Sequence, residues 1–299
     1  MSRLRLGTRG SPLARAQSQW TADRLMALHP GLEVELVVIK TSGDRFSLGE
    51  KPAAPNLKAQ FVKELEDALL EGGIDFAVHS AKDLPGDLPE GLCLAAYPPR
   101  EDPRDVFVPG SSLSWEDVQD GAVLGTASLR RQVQLRLARP GLKFEVVRGN
   151  VDTRLRKLQE KGYAGLVLAA AGLKRLGLDR VPREAFPADL VVPAPGQGAL
   201  ALEARQDRPG TLQLLAALSD EKTRLEVELE RALLKALGGG CSTPLGALAR
   251  ADERSVVFRV FWSREDGSRA LRLCERSGLR PEDRAALLDG LLRRIDAGR

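Results

Sequence analysis

Hydrophobic and polar residues alternate over the first residues of the chain and then adopt a helical period, which predicts a strand, a turn and a helix. Leu4 and Leu6 alternate with arginines, as in a half-buried strand. Ser11 is a typical helix N-cap and Pro12 a typical first helical residue. Arg9 therefore lies where a strand meets a helix N-terminus, a place where free backbone amides favour anions.

The alternation of strands and helices continues along the chain, which is typical of an α/β fold. Strands are predicted at residues 33–39, 74–78, 123–125, 144–147, 166–171 and 200–203, and helices at 59–71 and 221–237. Residues 46–56 contain one glycine and two prolines with few apolar anchors, so they predict a mobile loop or lid. A small α+β domain is predicted from further strands at 245–250, 256–262 and 270–275 and a helix at 281–295.

The length of 299 residues favours two or three domains. Prolines and charges at residues 98–105 indicate a crossover to a second domain, and a proline and glycine cluster at 194–198 indicates a return. We therefore predict a first domain of residues 1–99 and 196–217, a second of 100–195 and a third of 218–299.

The composition is that of an ordinary globular protein, with 43% hydrophobic and 29% charged residues. Neither an apolar run of about 18 residues nor a signal-peptide pattern opens the chain, so we expect no membrane span and a cytoplasmic location. Three cysteines without close pairing and only two histidines argue against a disulfide framework and a zinc site. The net charge of +4 comes without a long Lys/Arg run or interleaved aromatics, which argues against nucleic-acid binding.

The turn at residues 79–85 is one candidate for chemistry, because Lys82 stands next to Asp83 at the end of a predicted buried strand. A neighbouring cation tunes the protonation state of a carboxylate, as acid/base or cation-stabilising chemistry requires. An exposed surface ion pair is the alternative interpretation.

Arginines recur where two further predicted strands end and helices begin. Arg130 and Arg131 follow a small polar turn, and Arg148 and Arg154 flank the next one. Helix dipoles, free amides and guanidinium forks together favour carboxylates and other anions. This pattern predicts an anion-binding cradle in the second domain.

Cys241 lies in a glycine-rich segment, residues 238–246, directly after a predicted helix. Glycines allow the close approach of a bulky group, and a thiolate is well suited to hold a covalent adduct. A helix C-cap followed by a buried structural cysteine is the other interpretation.

Several longer motifs along the chain resemble the motifs of a single protein family. They are RGSPLAR at 9–15, FVKEL at 61–65, DFAVHSAKDLP at 75–85, GTASLRR at 125–131, RGNVDTRLRKL at 148–158, APGQGAL at 194–200 and CSTPLG at 241–246. Together they resemble the hydroxymethylbilane synthase family, also called porphobilinogen deaminase, from about residue 3 to 250.

The resemblance implies three α/β domains, of which the first two are like the lobes of a periplasmic binding protein with the active cleft between them. It also implies a dipyrromethane cofactor held by a thioether to Cys241 in the third domain. On this anchor, family members add four porphobilinogen units head to tail with loss of ammonia, and hydrolysis then releases hydroxymethylbilane for haem and related tetrapyrroles. A monomer is expected, and no metal or nucleotide is needed.

Residue by residue, the resemblance makes Asp83 the catalytic aspartate, which stabilises the cations formed when ammonia leaves and when a pyrrole attacks. Residues matching cofactor- or substrate-binding positions are Arg9, Lys58, Lys82, Thr126, Ser128, Arg130, Arg131, Arg148, Arg154, Arg175 and Gln197. The chain departs from the family at 57–60, where Leu-Lys-Ala-Gln replaces the usual Gly-Lys-Gly-Leu and keeps only Lys58. Ala81 and Ala127 also replace a usual larger apolar residue and a usual serine.

Three other functions remain as alternatives. A non-catalytic anion-binding protein with the same fold would need neither Cys241 nor Asp83. A cysteine hydrolase would pair Cys241 with His79, although no orienting partner is recognisable. Nucleic-acid binding would show a steep loss of DNA affinity with salt.

Overall fold

The computed structural model describes residues 2–39, 57–111, 114–238 and 244–298. It divides into two compact units, one of Met1–Glu101 with Ala199–Arg224 and one of Asp102–Gly198 with Leu225–Arg299. The loop or lid predicted at 46–56 lies outside the described residues, as does Cys241. Among the described residues, no helix combines the length and the apolar character needed to cross a membrane.

Strands and helices alternate through most of the described chain. The strands are β1 (Ser2–Arg9), β2 (Leu32–Ile39), β3 (Phe76–Ser80), β4 (Leu92–Ala96), β5 (Asp105–Pro109), β6 (Val123–Gly125), β7 (Lys143–Glu145), β8 (Gly165–Ala169), β9 (Glu184–Ala185), β10 (Leu200–Arg205), β11 (Leu245–Ala251), β12 (Ser255–Trp262) and β13 (Leu271–Gly278). The helices are α1 (Pro12–Leu28), α2 (Leu57–Leu70), α3 (Leu129–Ala138), α4 (Val151–Lys161), α5 (Ala170–Arg175), α6 (Pro209–Ala216), α7 (Glu221–Ala236) and α8 (Pro281–Gly298).

The first unit contains a sheet with the strand order β2-β1-β3-β10-β4. β2, β1 and β3 are parallel, whereas β10 runs antiparallel to both β3 and β4. Side chains such as Leu25 and Phe76 form a core on one face, and Leu65 and Ile74 form a second core on the other. The sheet is therefore buried on both faces, as its nearly continuous apolar strands require.

The second unit repeats this topology in a sheet of order β7-β6-β8-β5-β9. Here β7, β6 and β8 are parallel, and β5 runs antiparallel to both β8 and β9. In both sheets the fourth strand comes from a distant part of the chain. This repeated arrangement agrees with the predicted α/β fold of two similar lobes.

The second unit also contains a three-stranded antiparallel sheet, β11-β12-β13. One face packs its apolar residues, such as Phe258, against Leu233 of α7 and Ile295 of α8. On the other face Leu248 and Phe261 pack with Val133 and Val192. The prediction of a small α+β domain at the C-terminal end is confirmed.

The largest differences from the predicted elements concern short segments. The predicted strand at 166–171 ends at Ala169, because α5 begins at Ala170. The predicted strand at 144–147 ends at Glu145, although Val147 is buried. The elements β4, β5, β9 and α6 were not predicted.

Candidate functional site

The turn that carries Asp83 follows the C-terminal end of β3, the central strand of the first sheet. β3 is buried up to His79, and Ala81–Asp83 then form one turn of 3₁₀ helix. The amide of Ala81 donates a hydrogen bond to the carbonyl of Ala199 at 3.0 Å, and Leu84 is buried beyond the turn. Lys82 and Asp83, both half-buried, lie at the predicted end of a buried strand.

A small cavity of about 60 Å³ is lined by both Asp83 and Arg9. Gln17 of α1 and Ser80 also line it, and Gln17 Nε2 donates to Ser80 Oγ at 2.9 Å. Sequence reasoning missed both residues. Gln17 is recognisable only as a polar residue on the buried face of α1, where its side chain is 4% exposed.

Arg130 and Arg131 point inward from the first turn of α3 and meet a buried carboxylate. Arg130 Nη1 donates to Asp105 Oδ2 at 2.7 Å and to the carbonyl of Val192 at 2.7 Å. Arg131 donates to Asp105 Oδ1 through Nε at 2.9 Å and Nη2 at 2.7 Å. The predicted pair of arginines is thus anchored by an acid that the sequence analysis did not single out.

Asp105 is fully buried at the start of β5. Burial alone would favour the neutral acid, but the charges of Arg130 and Arg131 hold the pKa of Asp105 well below its usual range. The carboxylate therefore stays ionised and compensates both guanidinium groups. In the sequence, the only indication that Asp105 is buried is its position directly before the apolar residues 106–108.

Gln197 reaches the same carboxylate from the crossover segment. Its Nε2 donates to Asp105 Oδ1 at 2.9 Å and to the carbonyl of Pro103 at 2.6 Å. Gly196 and Gly198 have φ angles of 71° and 88°, a region that favours glycine, so the chain bends on both sides of Gln197. Arg175 Nη2 donates to the carbonyl of Gly198 at 2.6 Å.

The polar turns before α3 and α4 leave their helix N-termini without a side-chain cap. Ser128 and Asn150 occupy the N-cap positions, and neither side chain hydrogen-bonds the helix. Thr126 Oγ1 instead accepts from the amide of Ser128 at 3.2 Å. Uncapped amides at a helix N-terminus favour an anion.

The two arginines at α4 differ in their surroundings. Arg154 is half-buried, and its Nε donates to the carbonyl of Gly149 at 2.8 Å. Arg148 is exposed, and its carbonyl accepts a hydrogen bond from Lys157 Nζ at 3.1 Å. The structure therefore places both residues beside the N-terminus of α4, as predicted.

The elements on either side of the Cys241 segment are tied together by two carboxylates. Glu230 of α7 accepts from the amides of Gly196 at 2.6 Å and Ala249 at 2.8 Å. Glu226 accepts from the amide of Ala251 at 3.0 Å. The helix before the segment and strand β11 after it are thus held to each other.

Lys58 lies in α2, but its side chain is outside the described residues, as Cys241 is. The remaining predicted site residues form two groups, one in each unit. Arg9, Lys82 and Asp83 are in the first unit, and Thr126, Ser128, Arg130, Arg131, Arg148, Arg154, Arg175 and Gln197 are in the second. The first group combines a carboxylate with cations, and the second supplies guanidinium and amide donors.

Two family models match the chain. The model described as "Porphobilinogen deaminase, dipyromethane cofactor binding domain" matches residues 4–213, and "Porphobilinogen deaminase, C-terminal domain" matches residues 224–289. Relatives named porphobilinogen deaminase include one from Syntrophotalea carbinolica, 48% identical over 271 residues that cover 91% of this chain and 86% of the relative. Another, from Trichlorobacter lovleyi, is 46% identical over 270 residues that cover 90% of this chain and 86% of the relative.

Among solved structures, the methionine binding protein MetQ is similar with a TM-score of 0.44 and 15% identity. The match covers 79% of this chain and 96% of MetQ.

Proposed function

Since the chain belongs to the porphobilinogen deaminase family, we propose that it joins four porphobilinogen molecules head to tail, each with loss of ammonia, and releases the product by hydrolysis. The chain is a transferase of tetrapyrrole synthesis, and its cofactor is dipyrromethane. We assign the chemical steps to Asp83 and the attachment of the cofactor to Cys241. The cavity shared by Asp83 and Arg9 supports the assignment of Asp83, and the CSTPLG motif at residues 241–246 supports that of Cys241.

The donors of the second unit fit a ligand rich in carboxylates. Each pyrrole of dipyrromethane carries an acetate and a propionate, and arginine forks bind carboxylates well. Within the described residues, Arg130 uses only Nη1 for its hydrogen bonds, so Nε and Nη2 are left for a ligand. The uncapped N-termini of α3 and α4 add amide donors. This donor set supports binding of the cofactor or substrate by Thr126, Ser128, Arg130, Arg131, Arg148, Arg154, Arg175 and Gln197.

When bound, dipyrromethane supplies the pyrrole nucleophile and the anchor for the growing product. The residues of the chain provide charge and position. Arg9 and Lys82 bind substrate carboxylates, and Asp83 accepts hydrogen bonds from pyrrole N–H groups and stabilises the cation that porphobilinogen becomes as ammonia leaves. Because Asp83 is half-buried, its charge acts in surroundings of lower dielectric than bulk water. We assign Lys58 to the same binding role.

We further propose the division into three domains, residues 1–99 with 196–217, 100–195 and 218–299, with Cys241 in the third. The protein acts as a cytoplasmic monomer without nucleic acid. The small net charge of +4 supports the last point.

The intact mass of the purified protein tests the covalent anchor. We expect protein from cells that make porphobilinogen to exceed its sequence mass by two pyrrole units, and Cys241→Ser to lack this excess because it has no thiolate to form the thioether. Cys274→Ser is the matched control, since Cys274 is exposed, and it should carry the full excess.

An adduct retained by Cys241→Ser would contradict the assignment. A wild-type protein that gains no adduct from porphobilinogen or preformed hydroxymethylbilane would favour the non-catalytic anion-binding alternative.

A further inference from the structure

Three ionisable side chains are buried together between the first sheet and α2. They are Glu66 of α2, His79 of β3 and Glu203 of β10, with 8%, 6% and 0% of their surface exposed. His79 Nε2 lies 2.9 Å from Glu203 Oε2. Glu66 and Glu203 do not line the cavity of Asp83 and Arg9, and the proposed function gives none of the three a role.

The strand register explains how they meet. Ala201 is paired with His79 and Glu203 with Ala77, so His79 and Glu203 are on the same face of the sheet. Ala77 packs in one core with Leu65 and Leu69 of α2. The same helix therefore delivers Glu66 to the face that carries His79 and Glu203.

Several polar atoms of the cluster are buried without a hydrogen bond to any residue that the structure describes. These are Glu66 Oε1, His79 Nε2 and both side-chain oxygens of Glu203, because the short approach between His79 and Glu203 is poorly aligned for one. An unsatisfied buried polar group destabilises the folded state. Several in one place call for an explanation in terms of function.

Charge balance requires the cluster to hold protons. Two carboxyl groups and one imidazole have no net charge either with a charged imidazole and one protonated carboxyl group or with a neutral imidazole and both carboxyl groups protonated, so at least one carboxyl group is protonated in each neutral state. The charged groups that affect the pKa of Glu66 are Glu203 and His79 on the facing sheet and Asp67 on its own helix. The charge of Glu203 also affects the pKa of Cys93 in β4.

Glu66 is the group best suited to hold the extra proton. Burial, reinforced by the charge of Glu203 and opposed by His79, raises the pKa of Glu66 to about 7. Burial and the charge of Glu203 also raise the pKa of the Cys93 thiol, which therefore does not compete as an acid.

His79 connects this cluster to the reaction site. It lines the cavity that contains Arg9 and Asp83, while its Nε2 is directed at Glu203. His79 thus both lines the cavity and lies against a buried carboxylate. Histidine is the side chain best suited to pass protons near neutral pH.

The reaction of the proposed function needs such an exchange at every addition. The amino group of porphobilinogen takes up one proton as the C–N bond breaks, and the electron pair of that bond leaves with ammonia. A C–C bond then forms from the π electrons of the attacking pyrrole, and the pyrrole carbon that formed the bond releases one proton. No proton is consumed overall, but the group that gives the first proton has to regain one in the last step.

We propose that Glu66, His79 and Glu203 form a proton store that exchanges one proton with the Asp83 cavity through His79 during each addition. The proposal rests on the assignment of the chemistry to the Asp83 cavity. Glu66 and Glu203 act through His79 and do not touch the substrate.

The variant Glu66→Gln tests the store, because glutamine has the same shape and cannot titrate. We expect kcat of the cofactor-loaded variant to fall by about 10–100-fold, with KM unchanged. The pH profile of kcat should also lack a titration step near neutral pH that the wild type shows. Glu71→Gln is the matched control: this exposed acid follows α2 directly, and its loss should leave the pH profile of kcat as in the wild type.

A second measurement does not depend on turnover. The infrared carboxylic-acid band that differs between wild type and Glu66→Gln should disappear as pH rises through neutrality. A variant with wild-type kcat and pH profile, or a wild type without this band, would overturn the proposal. If Glu66→Gln does not fold, the pH profile of kcat is measured for His79→Gln instead. A titration step near neutral pH that is unchanged in His79→Gln would also overturn the proposal.

The adduct mass of each variant separates the two proposals. A Glu66→Gln protein with the full adduct has an intact attachment site, so a changed pH profile concerns the store. A wild type without adduct is a failure of the proposed function and is recognised before any profile is measured.

Discussion

One buried carboxylate, Asp105, fixes the side chains of Arg130, Arg131 and Gln197. Side chains that are already held lose less rotamer freedom when they bind a ligand. If these donors bind cofactor or substrate carboxylates as proposed, Asp105 would strengthen that binding by holding them in place beforehand.

The variant Asp105→Asn should lower the free energy of unfolding by about 3–5 kcal/mol, because it leaves two buried guanidinium groups without a counter-charge. Urea unfolding of the cofactor-loaded protein measures this loss. Asp102→Asn is the control: Asp102 pairs with Arg104 near the surface, where an ion pair contributes about 1 kcal/mol or less. Equal losses for the two variants would contradict the role given to Asp105.

The same variant has a defined dependence on pH. The pKa of Asp105 is lower in the folded protein than its ordinary value of about 3.9, so the pair stabilises the fold fully above that value and progressively less as pH falls below it. The difference between wild type and Asp105→Asn should therefore shrink as pH falls below about 4.

The catalytic role proposed for Asp83 depends on the charge of its carboxylate. Asp83→Asn keeps the shape of the side chain but cannot stabilise a cation, so formation of hydroxymethylbilane should fall by about 10²–10⁴-fold while circular dichroism stays unchanged. Asp87→Asn removes an exposed acid from the same turn region and should retain activity. Near-normal product formation by folded Asp83→Asn would refute the catalytic assignment.

Among the elements, α7 and β11 precede and follow residues 239–243 in the chain, and they are hydrogen-bonded to each other. Glu226 and Glu230 hold the strand to the helix, and Gly246 lets the strand pack closely on Val192. A covalent cofactor attached at Cys241 would thus be held by a segment whose two ends are fixed.

Gly246→Ala probes this close packing. A Cβ atom at Gly246 would lie 2.6 Å from the carbonyl oxygen of Val192, so the strand has to shift and the unfolding free energy should fall by about 1–3 kcal/mol. Gly210→Ala in α6 is the control, because, apart from its own neighbours in the helix, no atom of the described residues lies within 4 Å of the added Cβ. Thermal unfolding should show a lower Tm for the first variant and an unchanged or slightly higher Tm for the second, and the opposite order would contradict the close contact.

At the scale of the whole molecule, the sequence predicted the elements that have a clear local pattern. β1 with α1, the turn after β3 and the long α7 are of this kind. β5 was missed because its short apolar run follows prolines and charges and owes its strand structure to β8, far along the chain. Strand pairing of this sort has no local pattern.

The site shows the same limit. Arg130 and Arg131 were recognised from their motif, but their partner Asp105 is separated by 25 and 26 residues. Gln17 and Ser80, or His79 and Glu203, meet only through the topology of the first sheet. The sequence therefore indicated which residue types were available, and the fold determined which of them meet.

The position of β10 in the chain has a consequence for biosynthesis. This strand lies between β3 and β4 in the first sheet, yet it follows β5–β9, which make up the second five-stranded sheet. While residues 97–199 are being translated, β3 and β4 leave the ribosome without the strand that joins them, and their unpaired edges are open to non-native pairing. The sheet that is begun first is thus completed only after the second five-stranded sheet, and until then the N-terminal part of the nascent chain is a candidate client for a chaperone.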